Sequence, residues 1–206
     1  MKKYVKFAVM ALCLCLLLTG CGGKKTEDAA TEPSATSPQP NPDLKVEDCY
    51  TYVKNSGGTY SYSVQWRGGG ILHSVSETDR PVSFEAASED ILTIYGERGP
   101  ALMQRWAVFC DIQRGRVSTA FGGYLAARGN YVAFLDNRTE AYHVFVCDPF
   151  ESNEYVSVTT LEGLVVAEGE NVSLTYELDD DGILHVIYTT AEGDKTVAID
   201  LNKTEE

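Results

Sequence analysis

The sequence holds little of what most catalytic and nucleic-acid-binding proteins need. Its six cysteines include no CxxC pair, which excludes zinc ribbons and thioredoxin-like redox sites. Its three histidines, His73, His143 and His185, each stand alone within an expected strand. Metal sites and proton shuttles need several such groups converging, so these read as histidines on half-buried strand faces, with no metal and no cofactor expected. No Gly-x-Ser-x-Gly elbow and no Ser-x-x-Lys motif occurs. Positive charge is scarce, with 17 Lys and Arg against 30 Asp and Glu and a formal net charge of −13. Such a balance excludes nucleic-acid binding by phosphate neutralisation and opposes contact with anionic lipid headgroups. The apolar run Phe7–Leu18 falls short of the roughly 20 residues that span a bilayer.

That run does have a reading. It follows the basic opening Met1-Lys2-Lys3-Tyr4-Val5-Lys6, and a positive segment before a short apolar one is a secretory signal. It ends in Leu18-Thr19-Gly20-Cys21, which resembles the bacterial lipobox, with small residues at the two positions before the cysteine. The resemblance implies cleavage after Gly20 and a diacylglyceryl group on the Cys21 thiol. Residues 1–20 are then a discarded signal peptide, and Cys13 and Cys15 leave with it. Two acyl chains hold a protein on a bilayer where one is marginal, so the anchor is the only membrane contact expected. The rest of the chain would be displayed on the extracytoplasmic face. Residues 21–44 carry Pro33, Pro38, Pro40 and Pro42 among small and polar residues, with one large apolar residue, Leu44. Too little apolar surface is present to offset ordering entropy, so a disordered stalk spanning roughly 25–30 Å is expected.

The remaining residues, 45–206, form one expected domain. Val46, Cys49, Tyr50 and Val53 sit at i, i+3, i+4 and i+7, which predicts a short helix over Lys45–Lys54. Beyond Thr59 the pattern is all-β: short runs of β formers broken by Arg67-Gly68-Gly69-Gly70, Gly96 to Pro100, Arg128-Gly129-Asn130 and Asp180-Asp181-Gly182. The runs echo one another. Gly123–Gly129 is answered by Gly163–Gly169, Tyr131–Leu135 by Val172–Leu178, Tyr142–Cys147 by Ile183–Thr189, and Tyr155–Thr160 by Thr196–Leu201. An earlier copy runs through Val82–Ala86, Ile91–Tyr95, Trp106–Ile112 and Arg116–Phe121. Four strands in about forty residues is the size of a propeller blade, so a meander of blade-like repeats is expected, with a β-sandwich as the alternative. Tyr131–Leu135 and Val144–Cys147 are apolar at every position, as strands covered on both faces are. The stretch from Gly115-Arg116-Val117-Ser118 through Tyr131–Asp136 resembles β-rich lipoproteins of low-GC Gram-positive bacteria; that resemblance implies no activity.

The candidate sites are few. Tyr60, Tyr62 and Trp66 alternate with Ser61, Ser63 and Gln65, an aromatic stripe that could stack on a sugar ring or anchor a peptide if exposed, and would be core if covered. Asp179-Asp180-Asp181-Gly182 has consecutive acids followed by a strand, which fits a hairpin turn better than a calcium loop. Gly68-Gly69-Gly70 lacks the Lys-Ser/Thr of a phosphate cradle and reads as a turn. Carboxylate neighbours such as Glu89-Asp90 would serve a glycosidase, though in so acidic a chain they arise by composition. Cys110 and Cys147 each close a third strand before an aspartate, so they should occupy equivalent places in successive units, unbonded to each other. These features point to a lipid-anchored extracytoplasmic β module that binds a surface protein, peptide or glycan without catalysis. The alternative is an exported hydrolase acting on wall or dietary polymers through paired carboxylates.

If Cys21 carries the lipid, Cys21→Ala releases the protein into the soluble fraction while its far-ultraviolet circular dichroism is unchanged. A variant still sedimenting with membranes after a salt wash would contradict this.

Overall fold

The computed structural model describes residues 39–139, 141–151, 154–166 and 172–202. The expected signal, Cys21 and the stalk as far as Pro38 lie outside them. The fold is all-β, and its strands form four antiparallel sheets in chain order. The first holds β1 (Tyr50–Lys54), β2 (Tyr60–Gln65) and β3 (Ile71–Thr78). The second holds β4 (Val82–Ala86), β5 (Ile91–Glu97) and β6 (Arg105–Asp111), with β7 (Arg116–Val117) and β8 (Phe121–Gly122) both pairing with β6. The third runs through β9 (Tyr124–Arg128), β10 (Tyr131–Thr139), β11 (Ala141–Cys147) and β12 (Tyr155–Thr160). The fourth is β13 (Leu174–Leu178), β14 (Ile183–Thr190) and β15 (Gly193–Asp200).

Each sheet is a meander whose neighbours in sequence are neighbours in space, except that β8 pairs with β6 beside β7. Glycine makes several of the reversals. Gly182 has φ 82° in the turn from β13 to β14, where its N–H bonds the Asp179 carbonyl at 3.0 Å and the Ile183 N–H bonds Asp179 Oδ1 at 2.8 Å. This is the hairpin expected of that acidic run. Gly123 is more constrained: at φ 68°, a Cβ there would lie 2.1 Å from the Leu135 carbonyl oxygen. Its N–H bonds the Arg105 carbonyl and its own carbonyl accepts from Leu135 N–H, both at 2.8 Å, so it ties β6 to β10.

Three apolar cores join the four sheets in succession. Tyr62 and Val64 of the first sheet meet Val82, Leu92, Ile94 and Cys110 of the second. Ile91, Ala107 and Phe109, from the other side of the second, meet Val132, Phe134, Phe145 and Cys147 of the third. Ala133, Leu135, Val144 and Val146, on the third sheet's other side, meet Leu184, Val186, Tyr188 and Ile199 of the fourth. β10 thus sends alternate residues into different cores, as its unbroken apolar run requires. The cysteines follow the same rule. Cys110 and Cys147 both point from a sheet toward the one preceding it, and with Cys49 they are buried and unbonded.

Four expectations change. Lys45–Lys54 is not a helix: a single 3₁₀ turn covers Val46–Asp48 and β1 follows. Val46 and Cys49 are buried, but Val53 is 55% exposed, and Tyr50-Thr51-Tyr52-Val53 are β formers that pair with β2 residue for residue. Of the run Gly163–Gly169, the described part, Gly163–Val166, does not supply a strand. Leu164 makes one bridge to Thr190, since β14 is already flanked by β13 and β15 along most of its length. Residues 167–169 lie outside the described residues. Finally, the stack has four sheets rather than the two of a sandwich. At the other end, Asn41 and Leu44, placed in the stalk by composition, are held to the domain. The Asn41 N–H bonds the Arg67 carbonyl at 2.8 Å and Arg67 Nε bonds the Leu44 carbonyl at 3.0 Å.

Burial raises the thiols of Cys49 and Cys147 to about 11 and that of Cys110 to about 12. In a chain of residues 22–206, no thiol should react with Ellman's reagent at pH 8 in the folded state, and three should react in guanidinium. A Cys110–Cys147 cross-linked peptide in a non-reduced digest would contradict the stacking.

Candidate functional site

The aromatic stripe is not a platform. Tyr62 is 5% exposed, its ring edge-on to Phe84 at 5.6 Å and its hydroxyl 3.4 Å from His73 Nε2. Tyr60 shares its face of β2 but stacks on Tyr52 at 5.7 Å. Trp66 lies beyond the end of β2, where its ring covers Gly115: a Cβ on that glycine would sit 2.8 Å from it. Alternation reads correctly here, but the face holding Tyr62 is the one the second sheet covers. The three residues are therefore not a shared exposed surface.

The paired-carboxylate reading fares no better at Glu89-Asp90, because Asp90 is ion-paired to Arg67. Asp111 and Asp179 are the carboxylates with displaced pKa values, and both are displaced downward. Burial alone would raise Asp111, but the Arg114 N–H and the Arg116 guanidinium, 2.9 Å away, outweigh it. Asp179 is lowered by the Ile183 N–H, then by His185 at 3.0 Å. A general acid needs the opposite shift. The histidines are dispersed on β3, β11 and β14, and among the described residues no three metal-ligating side chains come together.

What the fold does assemble is a junction around Arg105. This residue opens β6 in register with Glu97, and shares a face with Ala107, which lines the second core. Alanine's small side chain and the chain reversal at Gly123 let Tyr124 come close. Tyr95 of β5, Tyr124 of β9 and Tyr176 of β13 then surround the guanidinium, with ring centroids 5.8, 5.7 and 5.3 Å from its Cζ. The second, third and fourth sheets each contribute. Tyr95 and Tyr124 also contact each other at 5.4 Å with planes tilted 40°. Arg105 is 19% exposed, and its Nε–H has no hydrogen-bond acceptor among the described residues; Glu97 Oε1 pairs with it only at 3.8 Å. Three ring faces hold the charge through their quadrupoles and leave the edge of the guanidinium for hydrogen bonding.

Beside the guanidinium lies a cavity of about 210 Å³, lined by Glu85, Tyr95, Arg105, Tyr124, Tyr176 and Leu178. Burial raises the Tyr124 phenol, and the charge of Glu85 raises it further. A second cavity of about 300 Å³, between Phe121, Phe134 and Tyr155, has Asp136 and Glu154 at its lining. The Arg105 cavity is the better-defined recognition site, since a fixed charge and three oriented rings converge there. Sequence reasoning missed it. Its four main residues are spread from position 95 to 176, and an arginine before an apolar strand looks like an ordinary polar strand end. No known family model, curated protein or solved structure matches this chain.

The buried phenols give a pH prediction. Burial pushes Tyr62 up to about 12, and Tyr124 is also raised. An acid whose folded pKa is raised contributes stability that is intact below its unfolded value near 10 and is lost as pH rises through that value toward the folded one. Urea midpoints of the wild type should fall between pH 10 and 12, and fall less in Tyr62→Phe. Equal alkaline losses in the two proteins would contradict the burial.

Proposed function

We propose that this protein is a lipid-anchored extracytoplasmic β module that binds a small ligand or an exposed group of a larger one without transforming it. The Arg105 junction carries the reading: a half-buried guanidinium, aromatic walls and a cavity are recognition chemistry. Among the described residues the cavity lining holds one cation, Arg105, and one carboxylate, Glu85. The sequence supports the compartment, through the basic opening, the apolar run and the lipobox at Cys21. A stalk from Gly22 onward would let the domain sample solvent above the headgroups. In this reading the four sheets are blade-like units of a propeller-like stack, and the ligand site lies where three of them meet. Protein, peptide and glycan ligands all remain in the class, recognised through a group that accepts hydrogen bonds from Arg105. For the hydrolase alternative, the lowered carboxyls of Asp111 and Asp179 offer no raised general acid at those two positions.

A thermal-shift screen of the wild type and Arg105→Met against amino acids, short peptides and oligosaccharides tests the proposal. It expects at least one class to raise the melting temperature of the wild type and not of the variant. Cleavage of a tested peptide or oligosaccharide by the wild type would replace it with the hydrolase.

A further inference from the structure

We infer that the Arg105 cavity is a site for a free α-amino acid, with Arg105 taking its carboxylate and Glu85 its ammonium; this rests on the binding reading above. The first argument is hydrogen bonding. Arg105 Nε–H is buried without an acceptor among the described residues, and a buried unmatched donor is a costly feature to retain. The guanidinium carbon sits over three tyrosine rings and the Nε–H is enclosed, so a ligand in the cavity meets Arg105 through its terminal N–H groups. Paired N–H groups on a rigid fork match the two oxygens of a carboxylate, as they do those of a phosphate.

The second argument is charge. The protein is strongly acidic, and Glu85 and Glu97 flank the one cation of the junction. A simple anion would meet net repulsion there. A zwitterion would not, because its carboxylate pairs with Arg105 while its ammonium meets an acid. Glu85 is exposed on β4 at the cavity lining, and its charge reaches as far as the Tyr124 phenol. The third argument is size. A cavity of about 210 Å³, open on one side, has room for the volume of about seven waters, at about 30 Å³ each, which is enough for one amino acid. Leu178 and the tyrosine rings offer its side chain an apolar wall, so a residue such as leucine fits the surroundings better than a charged one.

Isothermal titration of the full chain in detergent with L-leucine, N-acetyl-L-leucine and L-leucinamide tests this. Leucine should bind saturably, and each derivative, lacking one charge, should bind at least tenfold more weakly. Arg105→Lys should weaken leucine at least tenfold. Should that variant fold poorly, Glu85→Gln serves in its place: it alters an exposed side chain, and should weaken leucine while narrowing its advantage over N-acetyl-leucine. No saturable heat with leucine, or equal binding of all three compounds, overturns the inference. If instead an oligosaccharide or peptide binds in an Arg105-dependent way and leucine does not, the binding module stands and the amino-acid assignment falls. If nothing binds through Arg105, both fall.

Discussion

Strands that are apolar on both faces need a covering layer on both sides, and this requirement organises the whole domain. Val132, Ala133, Phe134 and Leu135 are all buried, as are Val144, Phe145, Val146 and Cys147. No sheet of three to five strands can cover both of its own faces. The third sheet is therefore placed between the second and the fourth, and the second between the first and the third. The outer sheets need one cover only, and their strands alternate accordingly: β13 reads half-buried and exposed in turn, and β14 keeps Leu184, Val186 and Tyr188 inside while Ile187 is 43% exposed. Among the described residues, no core joins the first sheet to the fourth.

A stack of narrow sheets has a second consequence. Where several sheet ends approach one another, the apolar layers stop and polar groups can enter without being fully solvated. Arg105 stands at such an end. Its strand runs on into Ala107 and Phe109 in the second core, while the guanidinium turns to rings from three sheets. A guanidinium suits the position because it is weakly hydrated and stacks on aromatic faces, where an ammonium would demand water. The same arrangement that closes the structure leaves Arg105 on the lining of a cavity, so cohesion and recognition share one residue.

Much of the architecture was legible in the sequence because strand faces have a strict period. The doubly apolar runs at Tyr131–Leu135 and Val144–Cys147 announced layers on both sides, and Asp179–Gly182 announced its hairpin. The failures have physical causes as well. Over Lys45–Lys54 the apolar spacing matched a helix, but the β-branched and aromatic residues from Tyr50 to Val53 found a partner in β2, and tertiary pairing decided the matter. Gly163–Ala167 looks like Gly123–Gly129, yet a strand needs a free edge and β14 had little to offer. Tyr62 was visible as one of an aromatic alternation, but period alone does not reveal which face a neighbouring sheet covers. Arg105 carried a weak signal, an arginine sharing a strand face with a small residue, Ala107. Its tyrosines are joined to it only by the stacking.

Arg105 couples sheets distant in sequence through its aromatic neighbours, and a double-mutant cycle measures that coupling. Unfolding free energies would be measured in urea for the wild type, Arg105→Met, Tyr176→Leu and the double variant. The account predicts a coupling energy of about 1 kcal/mol between a residue of β6 and one of β13, 71 positions apart in the chain. Additive effects within about 0.3 kcal/mol would show that the two side chains do not sense each other, and would contradict it.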